Sequence, residues 1–180
     1  MNAASSAFDQ ATYQIRFDWG QRAVGVLAPA AITVVVDALP GRAGLDLSGV
    51  EGHVVRAGLA DRSAVARWIL ERQHENGGRT SVNVVAVGDL DEAGATRFAM
   101  EDQLAAGALI DALIGLGIDH VSPDAAVASA SYDGLRRACV HLLSASASGR
   151  LLRAEGRDAD VRAAARVDSV DEVTVLSTPR

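Results

Sequence analysis

Residues 82–118 read V-N-V-V-A-V-G-D-L-D-E-A-G-A-T-R-F-A-M-E-D-Q-L-A-A-G-A-L-I-D-A-L-I-G-L-G-I. The run 82–87 is apolar and rich in β-branched side chains, the pattern of a strand buried on both faces of a parallel sheet. It stops at Gly88. A polar, glycine-containing loop follows, and the adjacent acids Glu101 and Asp102 then open a strongly apolar stretch that predicts a helix over about 99–116. In open α/β sheets, ligands bind outside the carboxyl ends of the strands, where loops lead into helices. Two carboxylates at that junction mark the place where a metal- or phosphate-handling site is expected.

Working outward, 31–36 (A-I-T-V-V-V) is the clearest strand, and it ends at Asp37. The segment 38–52 carries four Gly and a Pro and reads as an irregular connection. Residues 12–17 alternate well enough for an edge strand, 21–28 suit a short helical turn, and 53–57 suit a short strand. A helix over 62–73 places Val65, Trp68, Ile69 and Arg72 at helical spacing, with Asp61 or Ser63 as its cap. Ser122-Pro123 is a helix start, and that helix is expected to run towards Ser144. Two shorter helices, 146–154 and 158–165, flank Gly156, and 173–176 forms a last strand. Strands alternating with helices predict a single α/β domain over 12–180, with a mainly parallel sheet flanked by helices on both faces. Residues 1–11 are expected to form a flexible tail.

The composition excludes several classes of function. The chain has 180 residues, is 49% hydrophobic and has a formal net charge of -6. All 17 basic residues are Arg, so no chemistry needing a lysine amine is possible. No basic cluster argues for nucleic acid as a partner. No apolar run reaches the ~20 residues of a membrane helix. The single Cys139 lies in an apolar helical run and suits a core position, and a lone cysteine fits a reducing cytoplasm. The four histidines show no metal spacing, and there is no nucleotide-binding glycine fingerprint.

Four segments together resemble the 2-phosphosulfolactate phosphatase family. They are Phe17-Asp18-Trp19-Gly20 followed by L-A-P-A-A-I-T-V-V-V-D-A-L; Asp61-Arg-Ser-Ala-Val-Ala-Arg-Trp68; Ala86-Val87-Gly88 with Met100-Glu101-Asp102-Gln-Leu-Ala-Ala-Gly107; and Ser146-Ala-Ser-Gly149-Arg-x-Leu-x-x-x-Gly156-x-x-x-Asp160-Val161, running on to Val167-Asp168. The last is the most specific. The resemblance implies a Mg²⁺-dependent phosphatase acting on a small anionic phosphorylated metabolite. It departs after Leu39: the hydroxyl-rich turn, a crossover unit and the Asn-Gly loop of the family are absent. Asp61 stands where the family has Asn, and a carboxylate there offers acceptors only.

Hydrolysis of a phosphomonoester needs cations to neutralise the transferring phosphoryl group and an in-line nucleophile. Mg²⁺ is commonly held by one or two carboxylates plus water. Asp37, Glu101 and Asp102 are the candidates for the catalytic and metal-holding positions. Gly88, Ser148 and Arg150 are the candidates for substrate binding, through backbone N–H groups and a guanidinium. Arg42 could replace a lost phosphate-binding arginine. Asp18 reads as a turn residue, and Asp89, Asp91 and Glu92 as a solvated loop. The bland account of Glu101 and Asp102 is that acids in a first turn complement the helix dipole. Adjacent helical residues diverge by roughly 100°, so one of the two is expected to face the site. The alternative to a phosphatase is a degenerate family member acting as a scaffold or small-anion binder. Loss of a crossover unit should bare apolar sheet surface, which predicts a homodimer.

Overall fold

The computed structural model describes residues 7–41 and 43–179; Arg42 and the start of the tail lie outside them. In chain order the elements are β1 (Ile15–Trp19), α1 (Gly20–Val26), β2 (Ile32–Val36), β3 (His53–Ala57), α2 (Arg62–Glu75), β4 (Val82–Ala86), β5 (Asp89–Leu90), β6 (Thr96–Arg97), α3 (Met100–Gly115), α4 (Pro123–Leu135), α5 (Cys139–Ala145), α6 (Ala147–Ala154), α7 (Asp158–Ala164) and β7 (Thr174–Ser177). Five strands form one sheet in the order β1-β4-β2-β3-β7. The first four run parallel, and β7 joins β3 antiparallel at the edge.

The register explains why the β-branched runs work. Ile32 lies level with Val82 and His53, and Val34 with Val84 and Val55. One face therefore presents Ile15, Phe17, Ile32, Val34, Val36, Val55, Val82 and Val84 to the main core beneath α2, α3 and α4. Helix α3 is apolar all round through its middle because it is buried all round there: its residues from Leu104 to Ile110 are fully enclosed. It approaches α4 most closely at Gly107, where a Cβ would sit 2.1 Å from the Ala128 carbonyl oxygen. The opposite face is thinner. Val85 packs on Ala23 of α1 and on Leu27, which follows that helix. Val35, Val54 and Val87 pack on Leu45, Leu47 and Val50 of the irregular connection. Helices thus flank both faces, and the shortened connection covers what α1 does not.

Three local expectations change. The helix starting at Pro123 does not run unbroken towards Ser144. It ends at Leu135, just after Gly134, and a 3-10 turn at Arg136–Ala138 re-aims the chain so that Cys139 and Leu143 of α5 reach the core. Asp61 does occupy the cap position of α2, yet its carboxylate accepts the Gly58 N–H at 2.7 Å. The α2 amide of Ser63 is taken by Asp168, whose other oxygen accepts from Arg62. Lastly, 89–97 is a hairpin, β5 with β6, its turn closed by Asp91 accepting from Ala93 and Ala95. Asp91 and Glu92 are exposed as expected, whereas Asp89 is only 4% exposed.

Candidate functional site at the carboxyl edge of the sheet

The parallel strands β2, β3 and β4 end on one edge, and the N-terminus of α3 meets them there. Asp102 makes the junction. One carboxylate oxygen accepts the Ala38 N–H at 2.8 Å, and the other accepts the Gly88 N–H at 2.8 Å. A single buried side chain therefore ties the loop after β2 to the loop after β4. Burial pushes its pKa well above the usual carboxylate range, against the pull of the two N–H groups; Asp37 and Glu101 push it further up.

Asp37 follows β2 directly and is half-buried. Its pKa is pushed up to about 6, chiefly by burial; the Arg56 guanidinium pulls it down, and Glu101 and Asp89 push it up. Glu101 is 3% exposed. Among the described residues no hydrogen bond reaches the side chain of Asp37 or Glu101. Both acids of the α3 first turn thus take part in one cluster, in different ways: Asp102 bonds to the loops, and Glu101 bears on Asp37 by charge. They also complement the helix dipole, since α3 has no side-chain cap.

Arg56 was missed in the sequence. It lies on β3, exposed, in register with Val35 one turn of the pleat before Asp37. Its charge acts on both Asp37 and Asp61. The one available signal was an arginine inside the apolar strand H-V-V-R-A, beside a strand ending in Asp. Asp61 is itself pushed up by burial, with the Gly58 N–H and Arg56 opposing.

Beside the carboxylates lies a cleft of about 240 Å³ lined by Pro40, Gly41, Asp89, Ser148, Leu151, Leu152, Glu155 and Arg157. It brings the predicted Ser148 next to the loop after β2, but Asp37 and Glu101 are not part of its lining. Ser148 is buried, and among the described residues its hydroxyl has no hydrogen-bond partner. Arg150 is exposed and is not among the lining residues; Arg157 is. The Gly149 N–H is engaged by the Ser146 cap at 3.0 Å. The Gly88 N–H is engaged by Asp102, and Gly88 itself adopts φ +72°, with the Arg97 carbonyl 2.7 Å from where a Cβ would be.

Among the described residues no group of three or more His, Cys, Asp or Glu side chains is set to hold a metal. Mg²⁺ does not require one, because it keeps several waters and is held by one or two carboxylates. Asp37 and Glu101 fit that donor set. Asp102 differs from them in that each of its oxygens already accepts one backbone N–H group.

A family model described as 2-phosphosulpholactate phosphatase matches residues 30–179. The chain belongs to that family, and the matched region contains every candidate site residue from Asp37 to Arg150. No curated protein matches the chain. Among the described residues no helix is long and apolar enough to cross a membrane.

Proposed function

We propose that the chain is a Mg²⁺-dependent phosphatase that hydrolyses a small acidic phosphomonoester resembling 2-phosphosulfolactate, in the cytoplasm. The observation that carries this reading is the meeting of Asp37, Glu101 and Arg56 at the carboxyl edge. Asp37 and Glu101 would hold the metal, which when bound supplies positive charge against the phosphoryl oxygens. Arg56 adds a guanidinium for the same oxygens. The Ser148 hydroxyl donates to the part of the substrate that extends into the adjoining cleft. Asp102 is a positioning residue: it keeps the loop bearing Asp37 against the loop bearing Gly88. Because burial pushes the pKa of Asp37 up to about 6, this carboxyl can exchange a proton for a cation close to neutral pH.

One observation favours a second reading, a binder or scaffold without turnover. The N–H groups of Gly88 and Gly149 are both occupied, and Arg150 stands outside the cleft. Glu101→Gln separates the two. A phosphatase should lose Mg²⁺-stimulated phosphate release by roughly a hundredfold or more in this variant, with its melting temperature little changed. A binder shows no release before or after the change.

The same reading takes the chain as a homodimer. The supporting surface is β7, whose four residues are exposed on both faces, carry no charge and include Val175 and Leu176. An uncharged, unblunted edge strand is a template for pairing with another copy. Light scattering at micromolar concentration is expected to give twice the chain mass; a monomer would end this part of the proposal.

A further inference from the structure

Aromatic residues make up only 4% of the chain, yet three of them stack in a row at the end of β1. Phe17 meets Trp19 edge-on at 5.8 Å between ring centroids, and Trp19 meets Phe98 at 5.1 Å. Phe17 is buried, but Phe98 is 58% exposed. Water-exposed Phe is an expensive way to end a stack. The last ring borders a hollow of about 300 Å³ lined by Asp18, Trp19, Arg22, Thr96 and Phe98. The hollow is firmly built: a Cβ on Gly20 would lie 2.5 Å from the Thr96 hydroxyl oxygen, so the β5–β6 hairpin is seated on the start of α1. Its two charges neutralise one another, Arg22 lying 3.8 Å from Asp18.

This shelf adjoins the candidate site. Trp19 Cε3 is 3.5 Å from where a Cβ on Gly88 would be, and the Gly88 N–H bonds to Asp102. Phe98 precedes Glu101 by three residues. Trp19, Ala86 and Val36 lie level across β1, β4 and β2, so the shelf stands about 10 Å, two strand spacings, from the strand end that leads into Asp37.

Resting on the phosphatase reading, we propose that this shelf is a subsite of the same edge, and that it takes a neutral planar ring carried on the ester side of the phosphomonoester. An exposed aromatic face recognises a ring by stacking, and the paired rim charges favour an uncharged group. The same edge then accepts, beside a small acidic phosphomonoester, one that carries an aryl or heteroaryl group, and holds the ring-bearing ester more tightly.

The test uses two non-hydrolysable ligands on the full chain in the presence of Mg²⁺, 2-phenylethylphosphonate and ethylphosphonate, titrated by calorimetry. The ring compound is expected to bind about tenfold more tightly and to change the tryptophan emission, which ethylphosphonate leaves alone. Phe98→Ala and Phe98→Leu, at an exposed position, should bring the affinity ratio towards one. Equal affinities in the unaltered chain, or a preference that survives both variants, would overturn the shelf while leaving the phosphatase reading standing. Binding of neither phosphonate would also overturn the shelf, while the phosphatase reading stands or falls on Mg²⁺-dependent phosphate release.

Discussion

Asp37→Asn is expected to remove phosphate release by about a thousandfold or more and, at the same time, to stabilise the folded chain above pH 6. The two effects have one origin. Asp37 is held with its pKa raised to about 6, mainly by burial, against about 3.9 in an unfolded chain. Between those values the native state keeps a proton that the unfolded state releases. The contribution of Asp37 to stability is therefore full below about pH 4 and is lost as pH rises through 6. At pH 8 the native state carries a partly buried charge that the unfolded state bears at no cost. Asn keeps the shape and removes that charge, so it should add about 1–2 kcal/mol at pH 8, after allowance for solvent screening, and almost nothing at pH 4. Melting temperatures of both proteins at pH 4, 6 and 8 check this. A variant less stable than the parent at pH 8 would show that Asp37 is a structural partner rather than a strained functional group. A stabilising loss of function is the usual mark of a site whose chemistry runs against folding.

Asp102→Asn should behave in the opposite way, losing both stability and activity. Asp102 accepts two backbone N–H groups, one on each oxygen. An amide offers one acceptor and one donor, so either the Ala38 or the Gly88 N–H would face an NH₂ group in a buried setting. Leaving a buried donor unsatisfied costs about 1–3 kcal/mol. Relief of the buried charge, which raises the pKa of Asp102, offsets part of the loss of charge-assisted bonding. The expected net effect is about 2 kcal/mol, or a melting temperature lower by about 4–8 °C in a chain of this size. Phosphate release should fall as well, because the loops after β2 and β4 are no longer held together. An Asp102→Asn protein as stable as the parent would mean that the two loops are fixed by their own packing, and that Asp102 is free for another task.

The sequence was most legible where local pattern and tertiary environment agree. The strands ending at Val36 and Ala86 lie in the middle of a parallel sheet and are buried on both faces, so their β-branched runs stand out. The apolar stretch after Glu101 reads as a buried helix for the same reason. Those three segments bring Asp37, Glu101 and Asp102 together, and the family resemblance rests partly on them. What could not be read depends on contacts far apart in the chain. Arg56 reaches Asp37 only because β3 pairs with β2 across the glycine-rich connection. Asp168 caps α2 from more than a hundred residues away. Asp89 lies in the hairpin 89–97, whose two-residue strands are too short to show alternation. Sequence does not rank Arg150 and Arg157, because which one borders the cleft depends on how α6 and the turn between α6 and α7 pack against the loop after β2.

The most direct test of the account is release of inorganic phosphate by the full chain from a set of phosphomonoesters that includes 2-phosphosulfolactate, with added Mg²⁺ and with the metal chelated. Glu101→Gln and Asp37→Asn are run beside it. The expected result is turnover that needs Mg²⁺ and that both variants lose while remaining folded. Turnover that is indifferent to Mg²⁺ or that survives both substitutions, or no turnover from a folded sample under any condition, would contradict it.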